Sequence, residues 1–323
     1  MEGVGDYSFR KAISSIGGFD EAVRDFLRVP ANAHVRSLTM VYFSDELAPI
    51  PLAAQIMGSD IDLMAAMAQE LVLRGAPRID VNCGCPSPTV TGRGGGSSLL
   101  KDPNILYQVT KSVVQAVSIP VTVKMRSGFE DTSLFKENLL AVQESGARYI
   151  TLHPRTKVDG YGPPAKWDLI AEAKSILNIP VIGNGDILSV ADALEMLRTT
   201  GCDGLMIGRG SVINPFLFQQ IKAHYAGVPY IPQWDQLVRY LDIYSKSIAS
   251  NMSLRNYVGK LKQLLGFLFK SNSRLLALRT NILTYKSEDP NTFLDFAKNL
   301  LSENLLCNKE NGALICDEHR QEK

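Results

Sequence analysis

Seven short apolar or β-branched runs, alternating with longer helical patterns between about residues 22 and 222, predict an α/β fold, a (β/α)8 TIM barrel with its first strand missing. A second observation is where the alternation stops. Past Val228-Pro-Tyr-Ile-Pro232, a proline-punctuated hinge, only helical periodicity continues to about Leu306, which predicts a smaller all-α domain. The expected organisation is a catalytic barrel over 1–230, a helical domain over 231–306 and a polar, frayed tail over 307–323.

The strands are expected at Val23–Leu27, Leu52–Met57, Ile79–Asn82, Val121–Met125, Tyr149–His153, Val181–Gly183 and Gly204–Ile207. Helices are expected between them at Asp60–Arg74, Pro103–Val117, Ser133–Ser145, Trp167–Ile176 and Ser189–Thr199, with another at Pro215–His224. Right-handed crossovers between such strands give a barrel. A doubly wound sheet fits less well, because no Gly-x-Gly-x-x-Gly opens a helix directly after an early strand.

A chain of 323 residues with a formal net charge of +1 has room for a sizeable core and shows no overall bias toward a polyanion. That average hides a segment. From Ile243 to Ser287 there is no Asp or Glu, while Lys246, Arg255, Lys260, Lys262, Lys270, Arg274, Arg279 and Lys286 all fall there. A solvated helical surface would mix both signs, so the stretch points to a polyanion partner, with Tyr244, Tyr257 and Tyr285 interleaved as stacking groups.

Five scattered cysteines, Cys83, Cys85, Cys202, Cys307 and Cys316, suit a reducing compartment rather than a disulfide scaffold. Cys83-Gly-Cys85 is too tight for a zinc knuckle and has no partner pair, so no structural metal is expected. The apolar runs fall short of a membrane span and the N-terminus lacks the features of a signal peptide; the expectation is a cytoplasmic protein without a membrane partner.

The richest segment is Asn82-Cys83-Gly84-Cys85-Pro86-Ser87 with Gly92-Arg-Gly-Gly-Gly96, leaving the buried strand Arg78–Val81 where α/β folds place their chemistry. Gly84, Pro86 and Gly94–Gly96 argue that Cys85 stands exposed on a mobile loop, and a neutral thiol of reference pKa roughly 8.5 can donate a proton. Cys83 competes for that role, but its place next to Asn82 suits packing under the strand end. The loop lacks the Gly-Lys-Ser/Thr ending of a nucleotide-binding P-loop.

Gly183-Asn184-Gly185-Asp186 and Ile207-Gly208-Arg209-Gly210 stand where barrels bind phosphate; freed backbone N–H groups and the Arg209 guanidinium favour a dianion. Lys124, ending an apolar strand, needs an anionic partner, and a cofactor could supply it. His153 is expected in the same layer one strand later, beside Arg155. The repetition of polar groups at strand ends, Gln55, Asn82, Lys124 and His153, marks a site.

Together with Met1-Glu-Gly-Val4, Asp25-Phe-Leu-Arg-Val29, Val123-Lys-Met-Arg126, His153-Pro-Arg-Thr156 with Tyr161, and Lys260-Leu-Lys-Gln263, these motifs resemble the dihydrouridine synthases over nearly the whole chain. Within that family the cysteine loop looks most like the bacterial C type, whose target is position 16 of tRNA. The resemblance implies an FMN-containing barrel, a helical tRNA-binding domain, NADPH as reductant and, as expected here, a monomer.

It also implies roles. Gln55 and Lys124 would contact the isoalloxazine, His153 would lie beside the flavin, Asn184, Gly185, Asp186, Gly208 and Arg209 would hold the phosphate, and Met1 would contribute to the cofactor site. Asn82 would contact the uracil, Cys85 would protonate C5 as hydride reaches C6, and Arg126, Arg155, Tyr161, Lys260, Lys262, Arg274 and Arg279 would contact the RNA. The base must be turned out of the folded tRNA to arrive there.

Family members begin with a strand and Ala-Pro before Met-Glu-Gly, whereas this chain starts at Met1. Either the true start lies upstream or the barrel is open at that edge, with FMN then held more weakly than in a complete homologue. Two alternatives stay open on sequence: an FMN barrel oxidoreductase on a free pyrimidine, resembling dihydroorotate dehydrogenases, and a non-catalytic tRNA-binding protein.

Overall fold

A computed structural model describes residues 3–30, 34–162, 164–249, 251–287, 289–308 and 313–314. The chain divides into two compact units: Asp20–Ile187 with Ala191–Ile207, and Met1–Phe19 with Leu188–Val190 and Gly208–Lys323. The sequence boundary expected at residue 230 falls inside the second of these.

The first unit is a parallel sheet of the barrel class. Its strands are β1 (Ala22–Val23), β2 (Leu27–Arg28), β3 (Leu52–Met57), β4 (Ile79–Cys83), β5 (Val121–Gly128), β6 (Ile150–Thr156), β7 (Val181–Asn184) and β8 (Gly204–Met206). From β3 to β8 they pair in sequence order, each joined to the next by helix, as the alternation predicts. The strand expected over Val23–Leu27 is instead two short pieces on the same edge of β3, Ala22 opposite Leu52 and Leu27 opposite Ile56. Between them the chain advances four residues, Val23 to Leu27, while β3 advances three, Ala53 to Ile56, so one residue bulges out of the ladder.

Register and alternation divide the sheet into two faces of opposite chemistry. Ala54, Ile56, Ile79, Val81, Cys83, Val121, Val123, Met125, Ile150, Leu152 and Val181 share one face, all buried. Helices cover it closely: a Cβ on Gly183 would come within 2.5 Å of Met196 Sδ, on the helix Val190–Thr200. The other face carries Gln55, Asp80, Asn82, Thr122, Lys124, Arg126, Thr151, His153 and Asn184. Polar groups crowded onto one face of an otherwise apolar sheet need partners, from the chain or from a ligand.

The second unit has its own core. Phe9, Ala12, Ile13 and Ile16, one stripe of the helix Tyr7–Ile16, bury against Leu237, Tyr240, Leu241 and Tyr244 of the helix Trp234–Ser247. Leu254–Leu268, Ser273–Thr284 and Pro290–Leu305 complete it. The helix Tyr7–Ile16 was not expected from sequence, though Asp6, whose carboxylate accepts from the Phe9 N–H at 3.2 Å, is an ordinary N-cap. In the expected tail, Leu306–Asn308 pairs antiparallel with Ala313–Leu314; residues 309–312 and 315–323 lie outside the described residues. Among the described residues no helix is long and apolar enough to cross a membrane.

Candidate active site

The polar face is wired by one chain of hydrogen bonds. Asp80, fully buried on β4, accepts from Gln55 Nε2 (2.7 Å) and from Thr122 Oγ1 (2.6 Å). Gln55 Oε1 accepts from Asn82 Nδ2 at 2.9 Å, and Asn82 Oδ1 accepts the N–H groups of Gly84 and Cys85, both at 3.0 Å. The loop's start is thus held by a side chain of the strand it leaves.

Further along, the Cys85 carbonyl accepts from both the N–H (3.1 Å) and the hydroxyl (2.9 Å) of Ser97. Gly96, at φ 60°, lies so close that a Cβ there would meet the Cys85 oxygen at 2.9 Å. Cys85 is accordingly buried, 9 % exposed, among Met57, Val90 and Phe26. This corrects the expectation of an exposed thiol: glycine here serves tight packing, and exposure is confined to Pro88, Thr89 and Gly92–Gly94 at the loop's tip. Cys83 lies on the opposite, apolar face, fully buried, where burial and then the charge of Asp80 push its thiol far up.

Lys124 pairs in register with Asn82 on one side and Thr151 on the other. Burial pushes its ammonium down to about 8, against the pull of Asp80, with Arg126 adding to the fall and Cys85 opposing it. It has no hydrogen-bond partner among the described residues, and the Thr151 hydroxyl, fully buried beside it, has none either. Two unspent polar groups on an enclosed face fit a bound heteroaromatic group with acceptor atoms, the chemistry of a flavin ring.

His153 is buried and stands opposite Arg126, two residues beyond the Lys124–Thr151 pair. The expected common layer with Lys124 is therefore wrong; the stagger between adjacent strands sets it further along. Arg155 Nη1 lies 3.2 Å from His153 Nε2, and the Arg155 guanidinium forks onto the two oxygens of Asp186 (3.2 and 2.5 Å). Asp186 also accepts the Ala165 N–H at 3.0 Å, and its φ of 55° continues the left-handed path of Gly185, at φ 115°. A Cβ at Gly185 would strike His153 Cδ2 at 2.8 Å, so the turn closes directly on the imidazole. Asn184 Nδ2 donates to the Met206 carbonyl at 2.7 Å, tying β7 to β8.

Arg126 is committed to the fold. It donates to the carbonyls of Gly84 (3.0 Å), Thr156 (2.7 Å) and Gly160 (2.9 Å), and its guanidinium lies 5.3 Å from the ring of Tyr161, which is 60 % exposed. It links the cysteine loop to the segment after β6.

Gly208 and Arg209, the remaining expected phosphate ligands, open the helix Arg209–Ile213 in the other unit; Met1 lies outside the described residues. Of the expected RNA ligands there, Lys260 donates to Asp6 Oδ2 (2.6 Å) and the Gly3 carbonyl (3.1 Å). Lys262 donates to the Leu283 and Tyr285 carbonyls (2.9 and 2.7 Å) and Arg279 to the Gly266 carbonyl (2.7 Å). Arg274 is exposed, as are Lys246, Arg255, Lys270 and Lys286. The tyrosines read as stacking groups are used inside the unit: Tyr244 is 2 % exposed, Tyr257 is hydrogen-bonded to Ser245, and Tyr285 stacks on Phe296 at 3.9 Å.

Sequence reading missed Asp80, Thr122, Thr151 and Ser97. Asp80 carried a signal, being the one acid in the apolar strand Ile79–Cys83; the others are common residues whose partners lie far away in sequence.

The sequence pattern of the dihydrouridine synthase family matches residues 1–285. The chain belongs to that family. Among its relatives, proteins named tRNA-dihydrouridine(16) synthase are 36 % identical in Neisseria meningitidis serogroup B, over 94 % of this chain and 92 % of the relative. They are 36 % identical in Shewanella oneidensis (90 % and 93 %) and 38 % in Pseudomonas syringae pv. tomato (84 % and 88 %). Among solved structures, the old yellow enzyme homologue from Zymomonas mobilis is similar at a TM-score of 0.49 and 12 % identity, over 70 % of this chain and 84 % of that one, a likeness too distant to bear on function. As a dihydrouridine synthase the chain is an oxidoreductase that reduces uridine to dihydrouridine in tRNA.

Proposed function

We propose that this dihydrouridine synthase reduces uridine 16 of tRNA, with FMN as its flavin and NADPH as the reductant, the thiol of Cys85 acting as the acid. The observation that carries this is the polar sheet face itself: Asn82, its oxygen spent on the cysteine loop, faces Lys124 across the β4–β5 ladder, with Lys124 and Thr151 unspent beside it. Position 16 follows from the names of the relatives.

Gln55, Lys124, Thr151 and His153 are the side chains that would hold the flavin ring, and the backbone around Asn184 and Gly185 would take its phosphate. A flavin held by these residues would supply the hydride that uracil takes at C6, with NADPH as the source of its electrons. Each amide of the Gln55–Asn82 pair keeps one N–H for a ring or base carbonyl. The ammonium of Lys124 favours negative charge near it. Cys85 gives its proton to C5, so that the base gains one hydride and one proton. A base reaching its sulfur must displace part of the Met57, Val90 and Phe26 cover.

The helical region over 231–306 is the part that holds the RNA, through exposed cations such as Arg274. The cytosol, where tRNA and NADPH meet, is the place of action, and the monomer the working form.

Replacing Cys85 by alanine tests this directly. The purified wild type is expected to be yellow, to bleach with NADPH and to form dihydrouridine at position 16 of tRNA; Cys85→Ala keeps the colour and loses the product by at least about a hundredfold. Undiminished turnover in the variant rules out its acid, and a colourless, inactive wild type rules out the flavin reading.

A further inference from the structure

The chemistry set out above makes no use of Asp80, yet the hydrogen bonds that orient the site's amides begin at its carboxylate. An ionised carboxylate only accepts. Gln55 must therefore turn its amino end toward Asp80, which leaves its oxygen for Asn82; Asn82 in turn must meet that oxygen with its amino end, and only then is its own oxygen free for Gly84 and Cys85. The two ends of an amide are nearly alike in shape, so nothing but the partners decides between them. Along this chain the direction is fixed at both ends, by the Asp80 carboxylate, which only accepts, and by the Gly84 and Cys85 N–H groups, which only donate.

We propose that Asp80 is the positioning residue of the site: it anchors the accepting end of the Gln55–Asn82–Cys85 hydrogen-bond chain and supplies the negative charge that faces the Lys124 ammonium. What these groups are oriented toward rests on the flavin reading; their orientation does not.

The surroundings of Asp80 are fully specified. From just before its own strand Arg78 Nη1 lies 3.4 Å from Oδ1 and extends to Glu21; from β5 come Thr122 and Lys124, and from β3 Gln55. Tyr149 and Cys83 also feel its charge. Burial holds the carboxyl above its ordinary range, against the opposing pull of Arg78, Thr122, Gln55 and Lys124. Lys124 in turn faces Asp80, Arg126 and Cys85.

The test uses the full-length protein freed of cofactor, with two readouts. One is amine acetylation of Lys124 across pH, followed by mass spectrometry; the other is hydrogen exchange at the Gly84 and Cys85 amides. In the wild type the labelling midpoint is expected near 8. In Asp80→Asn it falls by about one unit, with roughly fivefold more labelling at pH 7, and both amides exchange about tenfold faster. Gln55→Met, which cuts the chain but keeps the charge, is expected to quicken the amides and leave the midpoint in place.

An unmoved midpoint in Asp80→Asn, as a protonated Asp80 would give, or unchanged exchange in Gln55→Met, overturns the proposal. Should Asp80→Asn not fold, Asp80→Glu replaces it: the charge stays, the oxygens move, exchange must quicken with the midpoint held, and unchanged exchange is again fatal. Neither readout involves flavin or tRNA. A wild type without dihydrouridine-forming activity would therefore sink the function proposed above and leave this test standing.

Discussion

Lys124 shows how a single residue is costly to the fold and useful to the site. Its ammonium is lowered from 10.5 to about 8, first by burial, so between these values the unfolded chain binds more protons than the folded one. Stability from this group therefore rises as pH climbs from about 8 to 10.5, and the full penalty, at most about 3 kcal/mol, applies below 8. Urea unfolding of the cofactor-free protein should show that rise, and Lys124→Met should flatten it. A variant as steep as the wild type would place the cost elsewhere.

Single residues also mark what local sequence conveys. Cys83 packs under the strand end as its place after Asn82 predicts, because it continues a buried apolar strand. The burial of Cys85 was not legible, because the walls around it come from Phe26, Met57 and Ser97, each distant in sequence or across the loop. Arg126 and Arg155 read as ligands for the same reason: an arginine in a motif looks available until the carbonyls of Thr156 and Gly160, or the carboxylate of Asp186, are seen to occupy it.

Among elements, the strands from β3 to β8 were the most legible, since buried parallel strands are continuous apolar runs bounded by turns. Short pieces were not. The helix Tyr7–Ile16 is too brief to be stable alone and owes its existence to burial against Trp234–Ser247, a partner more than two hundred residues away. The same distance hid the work of Lys260 and Lys262. The first is paired with Asp6; the second caps the end of the helix Ser273–Thr284 through the Leu283 and Tyr285 carbonyls. Lys262→Met should therefore cost about 1–3 kcal/mol in thermal unfolding while changing tRNA affinity less than Arg274→Ala. A larger affinity loss for Lys262→Met than for Arg274→Ala would restore it as an RNA ligand.

For the molecule as a whole, a net charge of +1 leaves affinity for a polyanion to local clusters. With Lys246, Arg255, Lys270, Arg274 and Lys286 exposed in one acid-free stretch, tRNA binding should weaken linearly on a log–log plot against salt. Each of these residues that touches a phosphate should, when changed to alanine, reduce the slope by just under one. A slope indifferent to all five would move the RNA surface elsewhere on the protein.

The two-faced sheet makes one more demand, on how the gene can change. Deleting or inserting a single residue between Arg78 and Cys83 would trade the places of Asn82 and Cys83, sending an amide into grease and a thiol toward the reactants. Length is thus frozen along β4, whereas the solvent-washed bend at Gly92–Gly94, a few residues downstream, is free to drift.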